Sequence, residues 1–308
     1  MGDLVVAVVG PTATGKSDLA IAIARRLGGE VVGADASQLY RGMDIGTAKV
    51  PLEDRHGIPH HQVDVLDVTQ EASVAAYQRH ARGDIEAVLA RGAVPVVAGG
   101  SGLYVRAALD RLEIPPTDPG VRAALQERLD RGGVATLLAE LRAADPQAAD
   151  AIEPNNGRRV VRALEVIALT GRPFSATMPT REFVRPTVLV GLRGDRGMVD
   201  DRIDRRARWM FDAGLVDETR GLVDLGLREG RTASRAVGYA QALDVIDGVV
   251  TVDEAVADTA LRTRRLVRRQ ESWFGADPRV RWFDPFAGSW DDLVDRVVDH
   301  VTHNGAHG

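Results

Sequence analysis

Gly10-Pro11-Thr12-Ala13-Thr14-Gly15-Lys16-Ser17 is the stretch whose residue types and spacing most directly specify chemistry. Two glycines separated by four residues and followed by lysine and a hydroxyl residue form the pattern of a phosphate-binding loop. Backbone N–H groups of such a loop, and of the helix that follows it, converge on one point and favour an anion there. Lys16 adds a mobile positive charge, and the Ser17 hydroxyl is the candidate ligand for Mg²⁺. The flanks agree. Leu4 to Val9 is a short apolar, β-branched run that reads as a buried strand, and Ser17 to Leu27 has helical spacing that stops at Gly28-Gly29. The loop alone leaves open which phosphate it holds and whether a phosphoryl group moves.

Further candidates sit at the ends of predicted strands, where functional groups collect in a doubly wound sheet. Glu30 to Ala34 reads as a strand that ends at Asp35-Ala36-Ser37-Gln38-Leu39-Tyr40. Asp35 falls beside the phosphate loop if the first two strands are near neighbours. Val94 to Ala98 runs into Gly99-Gly100-Ser101-Gly102-Leu103-Tyr104. This second glycine-rich turn either lets backbone and a hydroxyl approach a ligand or is simply tight. Between them, residues 41–59 form a long polar loop containing Lys49, and loops of that length usually have a task. Pro59-His60-His61 precedes a predicted strand at Val63 to Leu66. No further His or Cys follows at ligand spacing, so a metal site is not expected there.

The elements that position these groups follow from the rest of the chain. With 308 residues, 44% of them hydrophobic, there is room for one α/β core and an insertion. Cysteine is absent, which excludes disulfides and suits a reducing compartment. No apolar run reaches membrane-spanning length, and the chain enters a strand too early for a signal peptide, so a cytoplasmic protein is expected. From Pro115 the texture turns helical: 118–131, 134–144 and 157–169, with no strand pattern between about 116 and 185. Thr187 to Leu192 returns to a strand. Helices are then expected at 199–213, 215–226 and 233–246. A Thr251/Glu254 capping box opens a helix to about Phe274. An edge strand at Val280 to Phe283, a helix from Ser289 to His300 and a disordered tail from Thr302 complete the chain. The fold class is α/β: a P-loop NTPase-like, doubly wound, mostly parallel sheet (1–115 and 186–308) with an inserted all-helical domain (116–185).

The formal net charge of −5 argues against a general nucleic-acid binder, but the charge is uneven. Residues 262–269 carry five arginines and 158–162 carry three, while Lys16 and Lys49 are the only lysines. Arg202 and Arg206 lie on one helix face. Several stretches then match together. Besides the phosphate loop these are Asp35–Tyr40 continuing as Arg41-Gly42-Met43-Asp44-Ile45-Gly46-Thr47-Ala48-Lys49, Pro59-His60-His61, Gly99–Tyr104, Arg158–Val166, Arg202–Met210, Ala236-Val237-Gly238-Tyr239, and Arg264-Arg265…Arg268-Arg269-Gln270…Trp273-Phe274. In this order and over nearly the whole chain, the sequence resembles the tRNA dimethylallyltransferases, the IPP transferase family.

The resemblance implies transfer of a dimethylallyl group from dimethylallyl diphosphate to N6 of adenosine 37 in the anticodon loop of tRNAs reading codons that begin with U, with Mg²⁺ and release of diphosphate. It implies that Gly10, Pro11, Thr12, Ala13, Thr14, Gly15, Lys16 and Ser17 hold the diphosphate, with Arg202 and Arg206 as a clamp. Asp35 matches the family's base, Lys16 is implied in catalysis as well as binding, and Ser101, which stands where threonine is commoner, would bond to the reacting nucleotide or the diphosphate. Asp35, Ala36, Ser37 and Gln38 would line the adenine pocket, Ala36 replacing the usual serine. Arg122, Arg158, Arg159, Val160, Val161, Arg162, Arg235, Ala236, Val237, Gly238, Tyr239 and Ala240 would meet the tRNA, with helix 262–269 as a phosphate track. The implied partners are tRNA and the prenyl donor, with no membrane, and a monomer is expected. Two rivals share the core features: a small-molecule or nucleotide kinase binding ATP, and a prenyltransferase acting on free AMP. A third is an RNA-binding module with a vestigial loop.

Overall fold

Val5–Val9 shows no solvent exposure at any of its five residues and becomes the first strand, with neighbours on both edges. The computed structural model describes residues 2–177 and 181–305. In chain order its elements are β1 (Val5–Val9), α1 (Lys16–Leu27), β2 (Gly29–Gly33), β3 (His60–His61), α2 (Val74–Ala90), β4 (Val94–Gly99) and α3 (Gly102–Leu109). There follow α4 (Pro119–Ala144), α5 (Pro146–Ala151), α6 (Gly157–Thr170), β5 (Thr187–Leu192), α7 (Arg196–Asp212), α8 (Leu215–Asp224), α9 (Tyr239–Ile246), α10 (Val252–Gly275), β6 (Val280–Phe283) and α11 (Trp290–Gly305). The six strands are all parallel, in the order β3-β2-β4-β1-β5-β6. Strands covered on both faces by helices can be apolar throughout, which is why the Val-rich runs read so clearly.

Register sets the site. Val9 of β1 stands opposite Gly99 of β4, and Ala98 of β4 opposite Gly33 of β2. The carboxyl ends of β1, β4 and β2 are therefore side by side, where such sheets bind ligands. β4 lies between the two strands expected to be near neighbours. Leu19 and Ile23 of α1 and Leu293 and Val297 of α11 pack with Val6, Val8, Val96 and Val190 of the sheet. A second cluster joins Tyr40 and Met43 to Ile203 and Phe211 of α7, Leu215 of α8, Tyr239 of α9 and Val267 of α10. The capping box forms: Thr251 N–H donates to Glu254 at 2.8 Å, and Glu254 N–H donates to Thr251 Oγ1 at 3.3 Å.

Three local expectations are corrected. The strand at Val63 to Leu66 is instead β3 at His60–His61, because Gln62 and Asp64 take positive φ (both 58°) and break extended pairing. Residues 233–246 are not one helix. A 3₁₀ turn at Ala233–Arg235 is separated from α9 by Gly238, whose φ of 95° is not helical. Residues 302–305 are not disordered but extend α11 to Gly305; the remainder of that tail lies outside the described residues.

By its internal contacts the chain divides into the sheet unit, up to Leu109 and from Phe183 onward, and Asp110–Glu182. The second unit is helical. α4 is broken at Gly133 (φ 73°), as the two separate helical runs in the sequence anticipate, and its core joins Leu125, Leu137, Leu141, Val160, Val161 and Leu164. Within it Glu165 has no exposure, and it accepts from Asp118 N–H at 3.0 Å, Arg122 at 2.6 Å and Arg162 at 2.8 Å. Burial pushes its pKa up, but these donors outweigh burial and hold it below the ordinary 4.5. The carboxylate thus contributes stability that is present above about pH 4.5 and lost as pH falls through its depressed native value. Replacing Glu165 by Ala strands two guanidinium groups. The cost is expected to be about 2–3 kcal/mol, below that of a fully buried pair because Arg122 is 48% exposed. Hydrogen exchange across 119–170 checks this: opening should become easier in Glu165→Ala, and in Glu165→Gln the acid-dependent loss should shrink.

Candidate active site

The loop after β1 turns back across the sheet. At Gly10 (φ 131°) an added Cβ would lie 2.5 Å from Leu192 O, so only glycine lets the loop leave β1 this close to β5. Thr14 has no exposure, and its hydroxyl donates to Pro11 O at 2.8 Å; Lys16 Nζ donates to the same oxygen at 2.6 Å. Desolvation lowers the Lys16 pKa from 10.5 to about 8, with Asp35 opposing and Arg206 reinforcing the shift. Burial also lowers Arg206, which Asp18 counters. Arg202 donates to Ala13 O at 3.4 Å and stacks on Phe286 at 4.6 Å. Asp18, in the first turn of α1, is raised by burial although both arginines pull it down. Partly buried positive charge thus meets the amino end of α1, an arrangement that favours an anion.

The cavity at this point measures about 440 Å³. Its walls are Thr12, Ala13 and Gly15–Asp18 of the loop and helix, Asp35 and Gln38 beyond β2, Ala98–Gly100 of β4 and its turn, and Arg206 of α7. Asp35 Oδ1 accepts from Ser37 N–H at 2.9 Å, and Ala36 N–H donates to Ser101 Oγ at 3.5 Å. Sequence reasoning had not placed Thr47–Pro51, Asp54 and His56 there, yet they line the same cavity. Gln38 Nε2 donates to Thr47 O at 3.1 Å, and Lys49 Nζ donates to Tyr40 O, Asp44 and Asp64, all at 2.5–2.8 Å. Lys49 is therefore a staple of that loop. Its signals in the sequence were the long polar loop that holds it and membership of the Arg41–Lys49 string.

The second glycine-rich turn is tight because protein fills it. A Cβ on Gly100 would stand 2.3 Å from Gln270 Nε2, and one on Gly102 would stand 2.1 Å from the Trp273 ring. Gln270 donates to Gly100 O at 3.0 Å and accepts from Thr12 N–H at 3.0 Å. It ties the phosphate loop to the turn carrying Ser101. Neither residue had been assigned a role, although both belong to the Arg-Arg-Gln…Trp-Phe string.

The expected tRNA contacts divide. Arg158, Arg159 and Arg235 are exposed. Val160 and Val161 are 0% and 3% exposed inside the helical core, so contact through their side chains is corrected to a packing role. Arg162 donates to Pro115 O, Pro116 O and Glu165, and Arg122 to Glu165, which commits both to the helical unit's own structure. Gly238 and Tyr239 are buried, and Tyr239 is a core residue of the sheet unit; Ala236, Val237 and Ala240 are half-buried. Of the basic helix, Arg262 pairs with Asp258, and Arg264 with Asp204 and Asp200, while Arg265, Arg268 and Arg269 are exposed. His61 bonds to Glu30 at 2.6 Å and His60 faces Ile58 O. No helix among the described residues is long and apolar enough to cross a membrane.

A parallel, doubly wound sheet with an anion cradle at the carboxyl end of its central strand defines a P-loop-like α/β protein. The sequence profile described as IPP transferase matches residues 38–277, and that described as isopentenyl transferase matches 4–58. The chain belongs to the IPP transferase family. It is 59% identical to a tRNA dimethylallyltransferase of Streptomyces coelicolor over 278 residues, 90% of this chain and 89% of that protein. A similar relative from Nocardia farcinica is 58% identical over 91% of this chain and 90% of its own. The crystal structure of a tRNA isopentenylpyrophosphate transferase from Bacillus halodurans has a TM-score of 0.72 at 39% identity, covering 99% of this chain and 97% of that one. A eukaryotic dimethylallyltransferase solved acting on tRNA shares the fold, with a TM-score of 0.83 at 23% identity over 99% of this chain and 80% of its own.

The enclosed Lys16 ammonium makes a titration prediction. Its folded pKa near 8 lies below the unfolded 10.5, so the charge destabilises the free fold below pH 8, and the penalty fades as pH rises toward 10.5. At neutral pH the penalty is about 3 kcal/mol. Lys16→Met should therefore raise the melting temperature of the free chain and abolish binding of inorganic diphosphate. In the unaltered chain, binding should take up a proton near pH 8–9, read by calorimetry in buffers of different ionisation enthalpy. Lys16→Arg, which does not titrate there, should lose that uptake.

Proposed function

We infer that the protein transfers the dimethylallyl group of dimethylallyl diphosphate to N6 of adenosine 37 in tRNA, releasing diphosphate. One observation carries the reading beyond family membership: a single cavity joins Lys16 and Arg206 to the Asp35 carboxylate. The first two suit a departing diphosphate, and the third suits a base for an exocyclic amine. The curated relatives are named for tRNA, which favours a tRNA acceptor over free AMP or a kinase's small acceptor.

The chemistry follows from the charges. The allylic carbon–oxygen bond breaks with its electron pair going to the diphosphate, and the N6 lone pair forms the new carbon–nitrogen bond. Loop N–H groups, Lys16 and Arg206 stabilise negative charge as it collects on the leaving oxygens, and Arg202 at the Ala13 edge extends the clamp. N6 must lose a proton as it alkylates. Asp35 is the candidate base; Ser37 N–H fixes one of its oxygens, which orients the other. Ser101 holds the backbone next to Asp35 through Ala36. The adenine must leave its stack to enter, so a flipped nucleotide is required.

Mg²⁺ would be held by the Ser17 hydroxyl together with oxygens of the diphosphate. No group of three His, Cys, Asp or Glu able to hold a metal by itself exists among the described residues. That donor set suits a hard cation arriving with an oxygen-rich anion. When bound, the ion spreads the charge of the diphosphate.

Bulk tRNA incubated with the protein, Mg²⁺ and dimethylallyl diphosphate should gain one prenyl mass on a single anticodon-loop adenosine, and AMP should give almost no product. Asp35→Ala should lower transfer by about 10²–10⁴-fold while tRNA binding persists. Transfer unchanged in Asp35→Ala would remove that carboxylate from the chemistry, and robust turnover on AMP would overturn the acceptor.

A further inference from the structure

Three consecutive backbone amides in the loop lining the cavity are held by two side chains from distant elements. Glu218 Oε2, on α8, accepts from Ile45 N–H at 2.9 Å and Asp44 N–H at 3.3 Å. Its Oε1 accepts the phenolic proton of Tyr239, on α9, at 2.5 Å. The phenol oxygen in turn accepts from Gly46 N–H at 3.2 Å. A directed chain thus runs from amide to phenol to carboxylate, in which each bond polarises the next. Tyr239 has no exposure, and a Cβ on Gly46 would stand 2.4 Å from its ring, so the residue at 46 must be glycine for the phenol to reach. The loop continues into the cavity wall as Thr47, Ala48 and Lys49. Thr47 O takes the Gln38 amide, and Gln38 shares that wall with Asp35.

We propose that Glu218 and Tyr239 are positioning residues that clasp Asp44–Gly46 and so preset the acceptor side of the cavity through Thr47 and Gln38. Neither residue lines the cavity. The clasp acts on the wall that meets the incoming nucleotide and leaves the phosphate loop alone, because that loop is braced separately by Gln270. Tyr239 therefore serves an RNA substrate from within the core. This rests on the transfer reading given above.

Tyr239→Phe removes the hydroxyl that bridges Gly46 to Glu218; Glu218→Ala removes the carboxylate, and Glu218→Gln keeps an acceptor without its charge. In the first two, KM for tRNA should rise about tenfold or more, while KM for dimethylallyl diphosphate stays within about twofold. Glu218→Gln should fall between them and the unaltered chain. Hydrogen exchange should accelerate by about tenfold or more at residues 44–46 and stay unchanged over 10–17. Equal losses for both substrates, or unchanged exchange at 44–46, would overturn the clasp. If Tyr239→Phe fails to fold, the half-exposed Glu218 pair of variants gives the same readouts. An unaltered chain that transfers nothing to tRNA would overturn the transfer reading instead, and the exchange measurement would still judge the clasp.

Discussion

A partly buried positive charge at the amino end of α1 is the constraint on which the structure turns. Desolvation lowers the Lys16 pKa, and its ammonium donates to the Pro11 carbonyl, which the Thr14 hydroxyl also uses. Such an arrangement persists only if the surroundings overdetermine it. Here they do. β1 is buried along its whole length, Gly10 passes against Leu192 without room for a side chain, and Gln270 braces Thr12 from α10. The shape of the loop is therefore set by the fold itself.

Strand order brings the phosphate loop and the Asp35 segment to one cavity. β4 sits between β1 and β2, so its glycine turn lies between the phosphate loop and the Asp35 segment. Gln270 joins that turn to the loop, and Ser101 joins it to Ala36. The phosphate loop and the Asp35 segment are thus bridged by hydrogen bonds through one short turn, with no long lever between them. On the sides where Gly100 and Gly102 would carry a Cβ stand Gln270 and Trp273, both supplied from α10, while Gly99 and Gly100 line the cavity. The C-terminal half of the chain therefore finishes a site whose chemistry is carried mostly by the N-terminal third.

What could be read in advance follows the range of the interactions involved. The strands of β1, β4 and β5 were legible because continuous β-branched runs need only local pattern, and α1 and α10 because their caps are local too. β3 was not legible: positive φ at Gln62 and Asp64 is a choice of the tertiary structure that polar residues merely permit. The break before α9 was missed because Gly238 inside an apolar periodic run is compatible with either outcome. That Lys16 and Asp35 would face one cavity was legible from the loop pattern for the first and from the strand end for the second. Gln270, Glu218 and the stapled Lys49 were not, since their partners lie far away in sequence or on backbone atoms that carry no side-chain signal.

Charge counting misleads in the same way, and the correction bears on how an acidic chain meets RNA. Arg122, Arg162, Arg262 and Arg264 are matched to carboxylates of their own unit, and two of them neutralise a single buried Glu165. The Arg262 and Arg264 charges are balanced one for one at short range, and Glu165 offsets one of the two charges beside it, so these four add less to a field felt by phosphates than their number suggests. Arg158, Arg159, Arg235, Arg265, Arg268 and Arg269 are exposed instead, and they set the local potential whatever the net charge of −5 suggests. Because only phosphates neutralised by such free side chains release counterions, the salt dependence of RNA binding must follow this smaller set and not the 39 basic residues of the chain.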